Sequence, residues 1–202
     1  MVLRLLSRWE VRGKENVPLK GPLLVVSNHM NAADPPLVAV SIPRETIFMA
    51  KQELFVKPLS RYFITGFGAF PVNRRMADRK ALHLAKEVLN CGRCLVMFPE
   101  GMRSRTASIR EAFPGSALIA TQNKVTILPV GITGTEKLSG WKWLFQRPRI
   151  IVTIGKPFTL HPANGSVTKD ELVELTDGLM VHIAELLPEK YHGVYAEKAA
   201  RH

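Results

Sequence analysis

Apolar runs of four or five residues recur along this chain, at 23–26, 47–50, 69–72, 94–98, 126–130 and 150–154. Each is closed by a polar or turn-forming break, such as Gly21-Pro22 before the first and Ser27-Asn28-His29 after it. Runs this short are spanned by strands, and continuous rather than alternating apolarity marks strands covered on both faces. Between them lie stretches with helical periodicity. That alternation predicts an α/β fold, with a largely parallel or mixed central sheet flanked by helices. A length of 202 residues is that of one domain, so residues 1–202 are expected to form a single unit, with a core over about 11–160. No run approaches the roughly 20 apolar residues that a membrane-spanning helix needs.

Two stretches give clear helix signals. Ala77, Ala81, Leu84, Ala85 and Val88 line one face of a helix over 77–91, which Gly92 ends. Thr168 and Glu171 form a capping box that opens a C-terminal helix over 168–187, stopped by Pro188. At the other end Val2, Leu5, Leu6 and Trp9 share a helical face, with Arg4 and Arg8 off it, so residues 1–10 read as a short interfacial helix or one packed on the domain.

The polar breaks carry the chemistry. After the first run come Asn28 and His29, and Asp34 follows before Pro35 and Pro36. Asp then Pro is a helix start, with Asp34 at the N-cap. An imidazole beside a carboxylate can also serve as a general base: the carboxylate fixes the tautomer and stabilises the imidazolium, and the other nitrogen takes a proton. Asp34 can do both jobs, and a loop histidine with a capping aspartate stands beside that reading. Two further breaks, GAFPVNR ending at Arg74 and FPEGMRS with Glu100, Gly101 and Arg103, each set an arginine just past an apolar strand. Arginine there can hold a phosphate with two hydrogen bonds, and Glu100 can accept one from a substrate hydroxyl.

Charge points the same way. The formal net charge is +11, and residues 1–150 hold 23 Lys and Arg against 10 Asp and Glu, while 151–202 hold 5 against 7. The basic part is the part bearing His29, which implies anionic partners. A nucleic-acid-binding module would need interleaved stacking aromatics or a phosphate-cradling glycine loop, and neither pattern is present. Cys91 and Cys94 stand as C-x-x-C, but with no second pair they do not make a four-ligand zinc site, and no metal is expected. Two free thiols fit a reducing compartment.

The ordered motifs resemble those of the glycerolipid acyltransferases of the 1-acylglycerol-3-phosphate acyltransferase type. Asn28-His29 with Asp34 matches their first motif, GAFPVNR through Arg74 their second, and FPEGMRS their third, with Met102 where the family has Thr. ILPVGI around Pro129 matches the fourth. The resemblance runs from about Val11 to Tyr195. It implies transfer of a fatty acyl group from acyl-CoA or acyl-carrier protein to the free hydroxyl of 1-acylglycerol 3-phosphate, giving phosphatidic acid for phospholipid biosynthesis. Glycerol 3-phosphate or another lysolipid is the alternative acceptor. His29 and Asp34 would be catalytic, and Arg74, Glu100, Gly101 and Arg103 would bind substrate, with no metal or resident cofactor. Thioesters are already activated, so no covalent nucleophile is needed, and Ser27 is poorly placed to pair with His29. The expected setting is the cytoplasmic face of an anionic membrane, bound peripherally, with Val2, Leu5, Leu6, Trp9, Trp141, Trp143 and Phe145 as contacts and Lys142, Arg147 and Arg149 beside them.

Overall fold

The computed structural model describes residues 8–56, 58–66, 68–72, 79–138, 143–162 and 167–202. Its strands are β1 (Arg8–Arg12), β2 (Leu23–Ser27), β3 (Thr46–Lys51), β4 (Phe70–Val72), β5 (Cys94–Met97), β6 (Thr126–Thr133) and β7 (Arg149–Ile154). They form one seven-stranded sheet in the order β1-β7-β6-β2-β5-β3-β4. Every pair is parallel except β6 with β7. Longer helices are α1 (Asp34–Ser41), α2 (Pro58–Gly66), α3 (Arg79–Asn90), α4 (Gly115–Asn123) and, after the four-residue turn α5 (Trp143–Gln146), α6 (Lys169–Ala184).

The mixed α/β sheet is the one the apolar runs predict. Leu23, Leu24, Val25 and Val26 of β2 are all fully buried, as continuous apolarity requires of a central strand with both faces covered. Leu24 and Val26 join a core with α3, α4 and α6, while Leu23 and Val25 join a second with α1, β6 and β7 on the opposite face. On α3 the buried residues are Ala81, Ala85 and Leu89, the expected face carried one turn further. Thr168 caps α6 by accepting the Glu171 N–H at 3.2 Å.

Three elements differ from expectation. Arg8–Arg12 is a strand, not helix: Trp9 pairs in register with Ile150 of β7 and packs on the core beside it, so the parallel pairing overrides the helical spacing. Residues 1–7 lie outside the described residues. Strand β6 runs on to Thr133, through Pro129. A proline is tolerated in this central strand because Pro129 faces the end of β7: its carbonyl accepts the Gly155 N–H at 2.9 Å, just past the last paired residue, Ile154. Finally, α6 ends at Ala184, three residues before the expected 187, and its buried residues are Thr176, Leu179, Met180, Val181, Ile183 and Ala184.

Candidate functional site

All strand ends that carry the polar motifs, those of β2, β4 and β5, belong to parallel strands and so open on one edge of the sheet, the carboxyl edge where α/β folds place their sites. Residues 73–78, and with them Arg74, lie outside the described residues.

At the end of β2 the chain leaves the sheet in a fixed direction. The ladder with β6 stops at Ser27, opposite Val130. Asn28, 2% exposed, then uses its amide as a surrogate peptide: it donates to the Ile132 carbonyl at 2.9 Å and accepts the Ile132 N–H at 2.8 Å. The Ser27 hydroxyl turns to the Asn28 carbonyl at 3.2 Å and is not bonded to the imidazole. His29 follows, its ring stacked on Phe98 at 4.3 Å between centroids and 27° between planes.

The His29 Nδ1 lies 2.9 Å from Asp34 Oδ2. The same oxygen accepts the backbone N–H groups of Met30 at 2.6 Å and Asn31 at 2.7 Å, and Asp34 is fully buried. The expected N-cap bond is absent, and the reason is local. A capping Asp34 would accept from the second or third residue after it, but Pro36 has no N–H and that of Leu37 goes to the Ala33 carbonyl at 3.1 Å. The carboxylate therefore turns back on the loop that carries His29. An ionised carboxylate only accepts, so this contact favours the tautomer with the proton on Nδ1 and the lone pair on Nε2.

Glu100, 2% exposed, ties two loops together. Its Oε1 accepts the His29 N–H at 2.8 Å and its Oε2 the Arg110 N–H at 3.0 Å. Burial raises its pKa from 4.5 to about 7, against the pull of those two hydrogen bonds. With one backbone donor on each oxygen, Glu100 ties the His29 loop to the Arg110 segment. Gly101 sits at φ +67°, and a Cβ there would come within 2.8 Å of the Phe113 ring. The turn is closed by its N–H on the Phe98 carbonyl at 2.9 Å, and the Ser104 N–H reaches the His29 carbonyl at 2.7 Å.

Beside the His29 loop lies a cleft of about 680 Å³, walled by Met30, Asn31, Met102, Ser104, Glu136 and three arginines, Arg103, Arg105 and Arg110. Of these cations the sequence motifs point to Arg103 alone. Arg105 was visible as the next basic residue of the same polar run, whereas Arg110 and Glu136 reach the cleft only through tertiary structure. Three guanidinium groups against one carboxylate suit a dianion such as a phosphomonoester.

A histidine held by a buried carboxylate thus stands beside an arginine-lined cleft at the carboxyl edge of a largely parallel sheet. Residues 8–133 match the Acyltransferase family, and the chain belongs to it. It is 35% identical over 139 residues to the 1-acyl-sn-glycerol-3-phosphate acyltransferase of Streptococcus pneumoniae, covering 68% of this chain and 50% of that protein. Against the protein of the same name from Bacillus subtilis it is 29% identical over 189 residues, 92% of each chain. The chain thus spans about half of one relative and nearly all of the other. The crystal structure of the 1-acyl-sn-glycerophosphate (LPA) acyltransferase from Thermotoga maritima is similar to it, with a TM-score of 0.69 at 28% identity, covering 92% of this chain and 73% of that one.

Proposed function

We propose that the protein transfers a fatty acyl group from an acyl thioester to the free hydroxyl of 1-acylglycerol 3-phosphate, forming phosphatidic acid. The observation that carries this reading is the 2.9 Å contact of His29 Nδ1 with the buried Asp34, set beside the three-arginine cleft. Asp34 leaves Nε2 as the basic nitrogen. It takes the proton of the acceptor hydroxyl as that oxygen attacks the thioester carbonyl, and Asp34 stabilises the imidazolium. The tetrahedral intermediate collapses, the carbon–sulfur bond breaks, and the leaving thiolate takes the proton back from His29. Arg103, with Arg105 and Arg110, holds the acceptor phosphate, and Arg74 is proposed as a further contact. Gly101 serves by the turn that sets Arg103 beside the cleft.

The test is transfer by the purified protein from acyl-CoA and from acyl-carrier protein to a panel of acceptors, with products weighed by mass spectrometry. Phosphatidic acid as the main product supports the reading. Preference for glycerol 3-phosphate or a headgroup-bearing lysolipid would replace the acceptor, and equal use of an uncharged monoacylglycerol would remove the arginines' role.

A lipid acceptor brings the protein to a membrane surface, and we infer that it works there peripherally. No helix among the described residues is long and apolar enough to cross a membrane. Phe145, 78% exposed on α5, supports contact through the segment following 139–142, which itself lies outside the described residues with Trp141 and Lys142. Trp9 of β1 is half-buried against the core beside β7.

A further inference from the structure

We propose that the C-terminal turn over residues 191–195 is a latch that positions the Arg110 loop, and that it sets affinity for the phosphorylated acceptor. This rests on the acyl-transfer reading above. The turn grips both main-chain groups of Ile109: the Tyr191 carbonyl accepts the Ile109 N–H at 2.8 Å, and the Ile109 carbonyl accepts the Val194 N–H at 3.4 Å. Two residues beyond Arg110, the Ala112 N–H donates to the Tyr195 hydroxyl oxygen at 3.2 Å. Arg110 is thus bracketed by residues that the turn holds.

The approach is close enough to need glycine. Gly193 has φ +54°, and a Cβ there would stand 2.0 Å from the Ile109 carbonyl oxygen. Tyr191, Tyr195 and Ile109 are all nearly buried together. The turn also reaches the cleft wall directly, because the Tyr191 hydroxyl donates to Glu136 Oε1 at 2.8 Å. On its other side the Arg110 N–H is held by Glu100, which holds His29. The latch, the arginine loop and the base therefore form one hydrogen-bonded series. Loosening its outer end should cost phosphate contact before it touches the base.

Tyr195→Phe tests this, since it keeps the ring and removes only the acceptor of the Ala112 N–H; Tyr191→Phe tests the Glu136 arm. Two readouts are taken on the full chain: Michaelis constants for 1-acylglycerol 3-phosphate and acyl-CoA, and amide exchange of a peptide covering 109–113. The expected result for Tyr195→Phe is an acceptor KM raised about three- to tenfold, the worth of one hydrogen bond, with the donor KM within twofold. Exchange over 109–113 should be faster, and exchange over 23–27 unchanged. Equal rises in both KM values, or unaltered exchange over 109–113, would overturn the latch. If the wild type acylates no phosphorylated acceptor, the acyl-transfer reading falls instead, and the exchange comparison alone decides whether the turn holds the loop.

Discussion

At the residue scale the site turns on where two carboxylates aim. Asp34 meets His29 because Pro36 has no N–H to offer a cap and that of Leu37 is taken by Ala33, and the same oxygen gathers the Met30 and Asn31 N–H groups. Asp34→Asn keeps an acceptor for those amides but loses the charge that steadies an imidazolium. It should lower kcat by about 10²- to 10⁴-fold, and the amide NH2 replacing the buried, unpartnered Oδ1 should cost about 1–3 kcal/mol of stability. A cap-only Asp34 would lose stability with the rate spared. Glu100 gives a pH signature. Its pKa rises from 4.5 unfolded to about 7 folded, so between those values the folded protein holds a proton that the unfolded chain has released. That contribution to stability is complete below 4.5 and is lost as the pH rises through about 7. Thermal unfolding followed from pH 4.5 to 8 should therefore show a fall in wild type that Glu100→Gln lacks; parallel profiles would mean that Glu100 ionises like an exposed carboxyl.

At the scale of elements, the loop after β5 and the segment that follows it build the arginine cleft. Arg103→Ala and Arg110→Ala should each raise the acceptor KM at least about tenfold more than the donor KM, the scale of a charge-assisted hydrogen bond, and steady-state kinetics with each substrate varied in turn would show it. Gly101→Ala should destabilise the fold by about 1–2 kcal/mol, because it strains a positive φ and presses on Phe113; unfolding in urea measures it. Strands β2 to β7, α3 and the α6 cap were legible because burial on two faces and helical periodicity leave local marks. His29, Asp34, Glu100, Gly101 and Arg103 were legible as residues but not in their geometry. Nothing local says that Glu100 spends both oxygens on backbone, that Phe98 stacks on the imidazole, or that Ile109 is gripped from residues 191–195, since each is a contact between distant segments. The helix expected over 1–10 misled at its end for the same reason: Arg8–Arg12 pairs with a strand that lies far along the chain.

For the whole molecule, the proposed lipid acceptor would bring the basic edge of the sheet against a bilayer. Vesicle co-sedimentation should show binding that grows with anionic lipid, weakens with salt and falls in Phe145→Ala. Binding indifferent to all three would move the contact elsewhere and leave the chemistry untouched. The central claim is that His29 is the base for acyl transfer, and it is tested most directly by transfer to 1-acylglycerol 3-phosphate at saturating substrates, wild type against His29→Ala, with circular dichroism confirming that both are folded. The account predicts a fall of at least about 10²-fold, the usual contribution of a general base. A folded His29→Ala protein that kept a tenth or more of the wild-type rate would contradict it.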